Sequence, residues 1–166
     1  MCGILGWHKR DSEFTNEDKS KFKNALDLIH SRGPDNTGFY SSSNTLLGHK
    51  RLKILDVSNN SNQPYSRVKG KILIYNGEVY NYKELSNRLE REIDFNNQKI
   101  ISDTQIVYEI LLRYKQYSVN LFDGMFAFSW YDENDNSTFI ARDPLGQKPI
   151  YYYHDKNETI YSSELS

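Results

Sequence analysis

The clearest pattern in the chain is a stripe of apolar residues that recurs every three or four positions after Asp103. The stripe comprises Ile106, Val107, Ile110, Leu111 and Tyr114. This spacing is that of one face of an α-helix, and Asp103 stands where an N-cap residue is expected. The pattern therefore predicts a helix that begins at Asp103 and buries one face in the core.

Two other stretches predict helices by the same kind of pattern. The first has a capping-box pair and an apolar stripe, formed by Thr15, Asp18, Phe22, Leu26 and Ile29. Glycine and proline are expected to end this helix at Arg32-Gly33-Pro34. The second has a cap-like pair and a shorter stripe, formed by Asn81, Glu84, Leu85 and Leu89. We predict this helix over Tyr82–Arg91.

Short apolar and β-branched segments predict strands in the rest of the chain. They are Gly3–His8, Thr37–Ser42, Thr45–Lys50, Ile72–Tyr75, Met125–Trp130, Thr138–Ala141, Ile150–Tyr153 and Thr159–Ser162. Polar turns between consecutive segments favour hairpins, Ser58–Asn62 is a loop by composition, and Trp7 is expected to anchor the core. Because strands and helices do not alternate strictly, the pattern predicts a layered α+β domain with largely antiparallel sheets.

Composition narrows the picture further. A length of 166 residues suits one domain, which we take as 1–166, and the balance of 21 basic against 22 acidic side chains argues against nucleic acid as a partner. No signal pattern or apolar run of about 18 residues is visible, so we expect a cytoplasmic protein without a membrane partner. The single cysteine and the spacing of the four histidines predict neither a disulfide framework nor a metal site.

The only cysteine, Cys2, directly follows the initiator Met1. Removal of Met1 would leave a thiol and a free α-amine on one residue. The amine titrates at about 7.7–8.0, so in its neutral form it can accept the proton of a thiol whose ordinary pKa is about 8.5. Cys2 could otherwise be a small buried hydrophobe that begins a strand. Its position in the chain favours a nucleophile, and Gly3 would allow a substrate close approach.

The pair Asn76-Gly77 has two interpretations. Between apolar strand residues it is typical of a two-residue hairpin turn, and from these two residues alone that interpretation is the stronger. The other interpretation assigns the pair to catalysis. When a thiolate attacks an amide an oxyanion forms, and an asparagine NH₂ beside a glycine N–H would supply two donors to it.

Charged side chains near these residues also allow two interpretations each. Arg51 lies in a short basic run that could be a solvated face, or its rigid fork could bind the carboxylate of an amino-acid substrate. Glu78 and Asp103 would complement an α-ammonium group. Alternatively, Glu78 is a surface residue and Asp103 is merely a helix cap.

A series of short motifs occurs in one order along the chain, as Met1-Cys2-Gly3-Ile4, Arg32-Gly33-Pro34-Asp35, Gly48-His49-Lys50-Arg51-Leu52, Gln63-Pro64, Asn76-Gly77-Glu78-Val79-Tyr80-Asn81, Ser102-Asp103-Thr104 and Arg142-Asp143-Pro144-Leu145-Gly146-Gln147-Lys148-Pro149. Taken together, these motifs resemble the class II glutamine amidotransferase domain of glutamine-hydrolysing asparagine synthetases. The resemblance covers nearly the whole chain. It implies an N-terminal-nucleophile hydrolase fold, a four-layer αββα sandwich, and hydrolysis of L-glutamine through a cysteinyl thioester to give glutamate and ammonia.

The resemblance also implies a role for each candidate residue. Cys2 would be the nucleophile with its own amine as base, and Asn76 and Gly77 would form the oxyanion hole. Arg51 would bind the substrate carboxylate, and Glu78 and Asp103 would bind its ammonium group. Backbone atoms near Leu52 and Ile54 would line the pocket. No metal or organic cofactor is implied for this half of the reaction. ATP and Mg are expected only in a synthetase domain or partner subunit that accepts the ammonia.

The chain departs from this family at two points. Gln105 stands where the family usually has glutamate after Ser-Asp-Thr. The chain also ends about where a synthetase domain would begin, so an excised domain, a truncated product and a stand-alone subunit all remain open. The acceptor is not encoded here, which keeps an amidotransferase of a phosphoribosyl or amino-sugar pathway, and a non-catalytic interaction module, as alternatives. The oligomeric state also stays open, a homodimer included.

Overall fold

The computed structural model describes residues 1–54, 56–90 and 102–165. In chain order its strands and α-helices are β1 Gly3–Lys9, α1 Asn16–Leu28, β2 Asn36–Ser41, β3 Thr45–Arg51, β4 Lys71–Val79, α2 Tyr82–Glu90, α3 Asp103–Tyr114, β5 Gly124–Asp132, β6 Ser137–Arg142, β7 Tyr151–His154 and β8 Glu158–Ser162. Short 3₁₀ helices follow α1 at His30–Arg32 and α3 at Lys115–Asn120. All the predicted strands are therefore confirmed, each with slightly different ends.

The start of α1 follows from the predicted capping box. The Thr15 hydroxyl accepts a hydrogen bond from the Asp18 N–H at 3.1 Å, and the Asp18 carboxylate accepts one from the Thr15 N–H at 2.9 Å. These two bonds satisfy N–H groups that the first turn of a helix leaves without partners. The helical pattern ends in the 3₁₀ turn before Gly33, as the glycine and proline predict.

The described strands form two sheets. The first has the order β2-β3-β1-β8-β7 and the second has the order β4-β5-β6. Every pair in both sheets is antiparallel. Alternate residues of a strand point to opposite faces, so each sheet presents two apolar faces to be covered.

Three apolar clusters define the layers. Between α1 and the first sheet lie Leu5, Phe14, Phe22, Leu26, Ile29 and Leu46. Between the two sheets lie Ile4, Leu47, Ile72, Ile74, Ala127, Tyr131 and Tyr161. The outer face of the second sheet packs against α2 and α3 through residues that include Leu73, Tyr75, Leu85, Leu89, Val107 and Phe128. The order helix, sheet, sheet, helix confirms the predicted α+β four-layer sandwich.

Some local predictions need correction. The N-cap of α3 is Ser102, and Asp103 is the first residue of the helix. Asn81 was predicted to form a cap-like pair with Glu84. In the structure its side chain makes hydrogen bonds to the segment after α3, donating to the Leu121 carbonyl at 2.9 Å and accepting from the Asp123 N–H at 3.1 Å. Trp7 is only half-buried at the edge of the cluster beneath α1. The predicted end of the second helix at Arg91 lies outside the described residues. Among the described helices, none is both long and apolar enough to cross a membrane.

Candidate active site

One pocket collects all of the site residues that the sequence predicts. It lies where the start of β1, the end of β3, the end of β4 and the start of α3 meet. The predicted residues among its lining are Cys2, Arg51, Leu52, Ile54, Asn76, Gly77, Glu78 and Asp103. These residues are up to 101 positions apart in sequence, from Cys2 to Asp103, so the fold alone brings them together.

Cys2 lies immediately before β1, where hydrogen bonds from neighbouring residues hold it in place. Its Sγ lies 3.4 Å from the Leu52 N–H, which donates to it, and 3.6 Å from the Leu52 carbonyl. Arg32 Nε donates to the Cys2 carbonyl at 3.1 Å. Burial raises the pKa of the Cys2 thiol above its ordinary value, although the Leu52 N–H, the terminal ammonium and Arg51 act in the opposite direction. The thiol therefore needs a base to become a nucleophile near neutral pH.

The hairpin-turn interpretation of Asn76-Gly77 is wrong, because both residues lie inside β4. Asn76 pairs with Ala127 and Gly77 pairs with Phe126 on β5. The local sequence could not distinguish the two cases, since a turn and a strand next to a crowded neighbour both favour glycine. A Cβ on Gly77 would meet the Met125 carbonyl oxygen at 2.4 Å, so the close approach of β5 requires glycine there.

The open edge of β4 presents backbone donors to the pocket. The Tyr75 N–H donates to Gln63 Oε1 at 2.6 Å. Four residues further along the strand, the Val79 N–H donates to Asp103 Oδ2 at 3.2 Å. Gly77 lies between Tyr75 and Val79 and shares their orientation, because N–H groups of alternate strand residues point to the same edge. Its N–H therefore faces the pocket that Gly77 lines.

The Asn76 side chain adds a second donor. Asn76 is 1% exposed, and its Nδ2 has no hydrogen-bond partner among the described residues. A buried amide without a partner is rare because it loses its hydrogen bonds with water without replacement. Together with the Gly77 N–H, it gives the pocket two donors suited to an oxygen that carries developing negative charge.

Arg51 is buried and braced by the loop that follows β3. Its Nη1 donates to the Ser58 carbonyl and to Asn62 Oδ1, both at 2.7 Å, and its Nη2 donates to the Asp56 carbonyl at 2.5 Å. These bonds use three of the five N–H groups of a guanidinium. Among the described residues, the Nε–H and the second Nη2–H make no hydrogen bond, and the Asp56 carboxylate lies 3.8 Å from Nη2. The solvated-face interpretation of Arg51 is therefore wrong, and a fixed fork faces the pocket.

Two carboxylates lie across the pocket. Asp103 accepts hydrogen bonds from the Tyr75 hydroxyl at 2.8 Å and from the N–H groups of Val79 and Thr104 at 3.2 and 2.8 Å. Burial raises the pKa of Asp103 despite these three bonds, and the charge of Glu78 raises it further. Two acidic groups in a partly dry pocket form an environment that favours a bound cation.

Several residues that line the pocket were not assigned from the sequence. Gln63 positions β4 through the Tyr75 N–H, and Lys148 is buried with its Nζ 3.0 Å from Met1 Sδ. Both lie in motifs that carried the resemblance, so a signal for them existed. Their roles depend on burial and on partners distant in sequence, which no motif displays.

Comparisons with known proteins identify the family of this chain. A family model described as glutamine amidotransferase domain matches residues 1–166. The chain belongs to this family. It is 35% identical to glutamine-hydrolyzing asparagine synthetase 1 of Bacillus subtilis, covering 99% of this chain and 26% of that protein. It is 33% identical to glutamine-hydrolyzing asparagine synthetase B of Escherichia coli, covering 99% of this chain and 29% of that protein.

A solved structure shows the same fold. The glutamine phosphoribosylpyrophosphate amidotransferase from B. subtilis superposes with a TM-score of 0.78 at 18% identity, covering 98% of this chain and 42% of that chain. The likeness establishes that the two chains share a fold. By the coverages given above, the chain spans less than a third of the length of each of the two asparagine synthetases.

Proposed function

We propose that this chain hydrolyses L-glutamine to glutamate and ammonia at Cys2, as the glutaminase part of an asparagine synthetase-type enzyme. One observation carries the proposal. A thiol, two free donors, a braced guanidinium and a pair of carboxylates all line the same pocket. Family membership supports the substrate, and the asparagine synthetases among the relatives support the destination of the ammonia.

The proposed chemistry begins after Met1 is removed. The neutral α-amine of Cys2 takes the thiol proton, and the thiolate attacks the γ-amide carbon of glutamine. The oxyanion that forms accepts hydrogen bonds from Asn76 Nδ2 and the Gly77 N–H. The C–N bond then breaks as the ammonium returns its proton to the leaving nitrogen, which gives ammonia and a γ-glutamyl thioester. Water, activated by the same amine, cleaves the thioester and releases glutamate.

The remaining residues hold the substrate's amino-acid end. We propose that the free edge of the Arg51 guanidinium binds the α-carboxylate through two parallel hydrogen bonds. Glu78 and Asp103 bind the α-ammonium, whose charge relieves the repulsion between their carboxylates. Leu52 and Ile54 line the pocket, and the Leu52 N–H already contacts the Cys2 sulfur.

This half of the reaction, as proposed, uses no metal or organic cofactor, because side chains and backbone fill every role. ATP and Mg belong to the acceptor step, in a synthetase domain or partner subunit that uses the ammonia. The chain spans only part of its relatives' length, so the asparagine product is a proposal that depends on that partner.

The test combines intact mass with a glutaminase assay on one sample. We expect processed protein that lacks Met1 to release ammonia from L-glutamine, to be alkylated at Cys2 by a glutamine-like diazo ketone, and to lose turnover in Cys2→Ala. Processed protein that binds a synthetase partner but releases no ammonia would support an interaction module instead. Undiminished turnover in protein that retains Met1 would overturn the proposed role of the α-amine.

A further inference from the structure

Lys148 is a buried cation in the same pocket as Cys2. It lies just before β7, only 6% of its surface is exposed, and its backbone N–H donates to Asp143 Oδ2 at 3.0 Å. Asp143 also accepts from the Phe126 N–H on β5, so the segment that carries Lys148 is fixed to the second sheet. The backbone position of Lys148 is therefore set by the fold.

The contacts of this ammonium are unusual. Its Nζ lies 3.0 Å from Met1 Sδ, and no carboxylate of the described residues lies within 4 Å of it. Buried lysines are normally paired with an acidic group, because an isolated charge is costly to remove from water. A thioether is only a weak acceptor. Removal of Met1 takes away even this partner and leaves the ammonium in the pocket that Cys2 also lines.

Other charged or titratable groups also face Cys2, from each element that surrounds it. They are Arg32 on the 3₁₀ turn, Arg51 on β3, Asp56 on the following loop, Tyr75 and Glu78 on β4, and Asp103 on α3. Among the cations of this set, Arg51 donates to loop oxygens and lies 3.8 Å from the Asp56 carboxylate, and Arg32 donates to the Cys2 carbonyl and lies 3.6 Å from the Glu164 carboxylate. The Lys148 ammonium has no oxygen partner among the described residues.

We propose that Lys148 places an uncompensated positive charge beside the processed N-terminus and thereby favours the neutral amine and the thiolate of Cys2. The inference rests on the proposed glutaminase function. A nearby cation disfavours every protonated, more positive state of its neighbours, so it acts on both groups in the same direction. Burial by itself raises the pKa of the thiol, and a cation placed beside it acts in the opposite direction.

The experiment compares pH profiles of kcat/KM for processed wild type, Lys148→Met, Lys148→Arg and Lys156→Met. Methionine removes the charge with little change in volume, arginine keeps the charge, and Lys156 is an exposed lysine outside the pocket. We expect the acidic limb to move to higher pH by about one unit in Lys148→Met, because one unscreened charge contributes an effect of that order. We expect arginine to restore the limb and Lys156→Met to leave it in place.

Several outcomes would overturn the inference. If Lys148→Met loses activity equally at every pH, the lysine only supports the structure. If Lys148→Met does not fold, Lys148→Gln is compared with Lys148→Arg, and identical limbs in these two variants would exclude a role of the charge. Wild type that releases no ammonia at any pH would instead refute the proposed function, so the two failures are distinguishable.

Discussion

Substitution of Asn76 by alanine tests the proposed oxyanion hole most directly. The Asn76 amide is buried, and its Nδ2 has no partner among the described residues. Truncation therefore removes a donor from the pocket without breaking a hydrogen bond made by that nitrogen. We expect a large loss of catalysis with little loss of stability, which is the reverse of the usual effect of a buried polar substitution.

The magnitude follows from the role. One oxyanion-hole donor contributes about 2.7–4 kcal/mol to the transition state, so kcat should fall by a factor of about 10²–10³. KM for glutamine should change little, because the donor acts on charge that develops only after attack. The free energy of unfolding should fall by less than in the control below, because relief of an unpaired buried amide offsets part of the packing that truncation removes.

A matched control is Asn81→Ala. Asn81 follows the same strand but uses both ends of its amide on the backbone of residues 121 and 123. Two such bonds contribute about 1–3 kcal/mol, so this variant should lose stability and keep its kcat. Ammonia release and urea unfolding, measured on both variants, provide the comparison. A wild-type kcat in Asn76→Ala, or a stability loss as large as that of the control, would refute the reasoning.

Further predictions concern the substrate clamp, the strand and pH. Arg51→Lys should raise KM by far more than it lowers kcat, because a point charge cannot make two parallel hydrogen bonds to a carboxylate. An unchanged KM would exclude Arg51 as the residue that binds the substrate carboxylate. Gly77→Ala should reduce the free energy of unfolding, measured in urea, by more than about 1 kcal/mol, because the new Cβ would lie 2.4 Å from the Met125 carbonyl oxygen. An unchanged free energy of unfolding would contradict this. Burial lowers the pKa of His8 and of His49 to about 4, so each is neutral in the folded state at pH values where the unfolded state is protonated. Stability should therefore fall as pH decreases from about 6.5 to about 4, and an unfolding midpoint that is flat across this window would contradict it.

The sequence predicted the elements well where the signal is local. The apolar stripe of α3 and the capping box of α1 each lie within one helix, and both are confirmed. The cap at Asp103 was misplaced by one residue, because its carboxylate serves the Tyr75 hydroxyl and the Val79 N–H rather than the first turn alone. Such contacts depend on the second sheet, and a local pattern does not contain them.

The site shows the same division between local and distant information. The motifs contain every predicted pocket residue except Ile54, which the resemblance implied. They do not show that β5 packs against Gly77 or that a loop holds Arg51 in place. Lys148 was missed because a lysine in a sequence is ordinarily exposed. Only the packing of its segment through Asp143 reveals that it is buried. The roles of the individual residues remain predictions for the experiments above.

The edge of β4 has a consequence for the solution behaviour of the protein. An unpaired strand edge usually offers a row of free hydrogen-bonding groups on which another chain can add, and this leads to aggregation. Here Gln63 and Asp103 occupy the N–H groups on either side of Gly77. A strand added at this edge of β4 would find the Gly77 N–H between two N–H groups that are already hydrogen-bonded, so this edge is a poor template for aggregation.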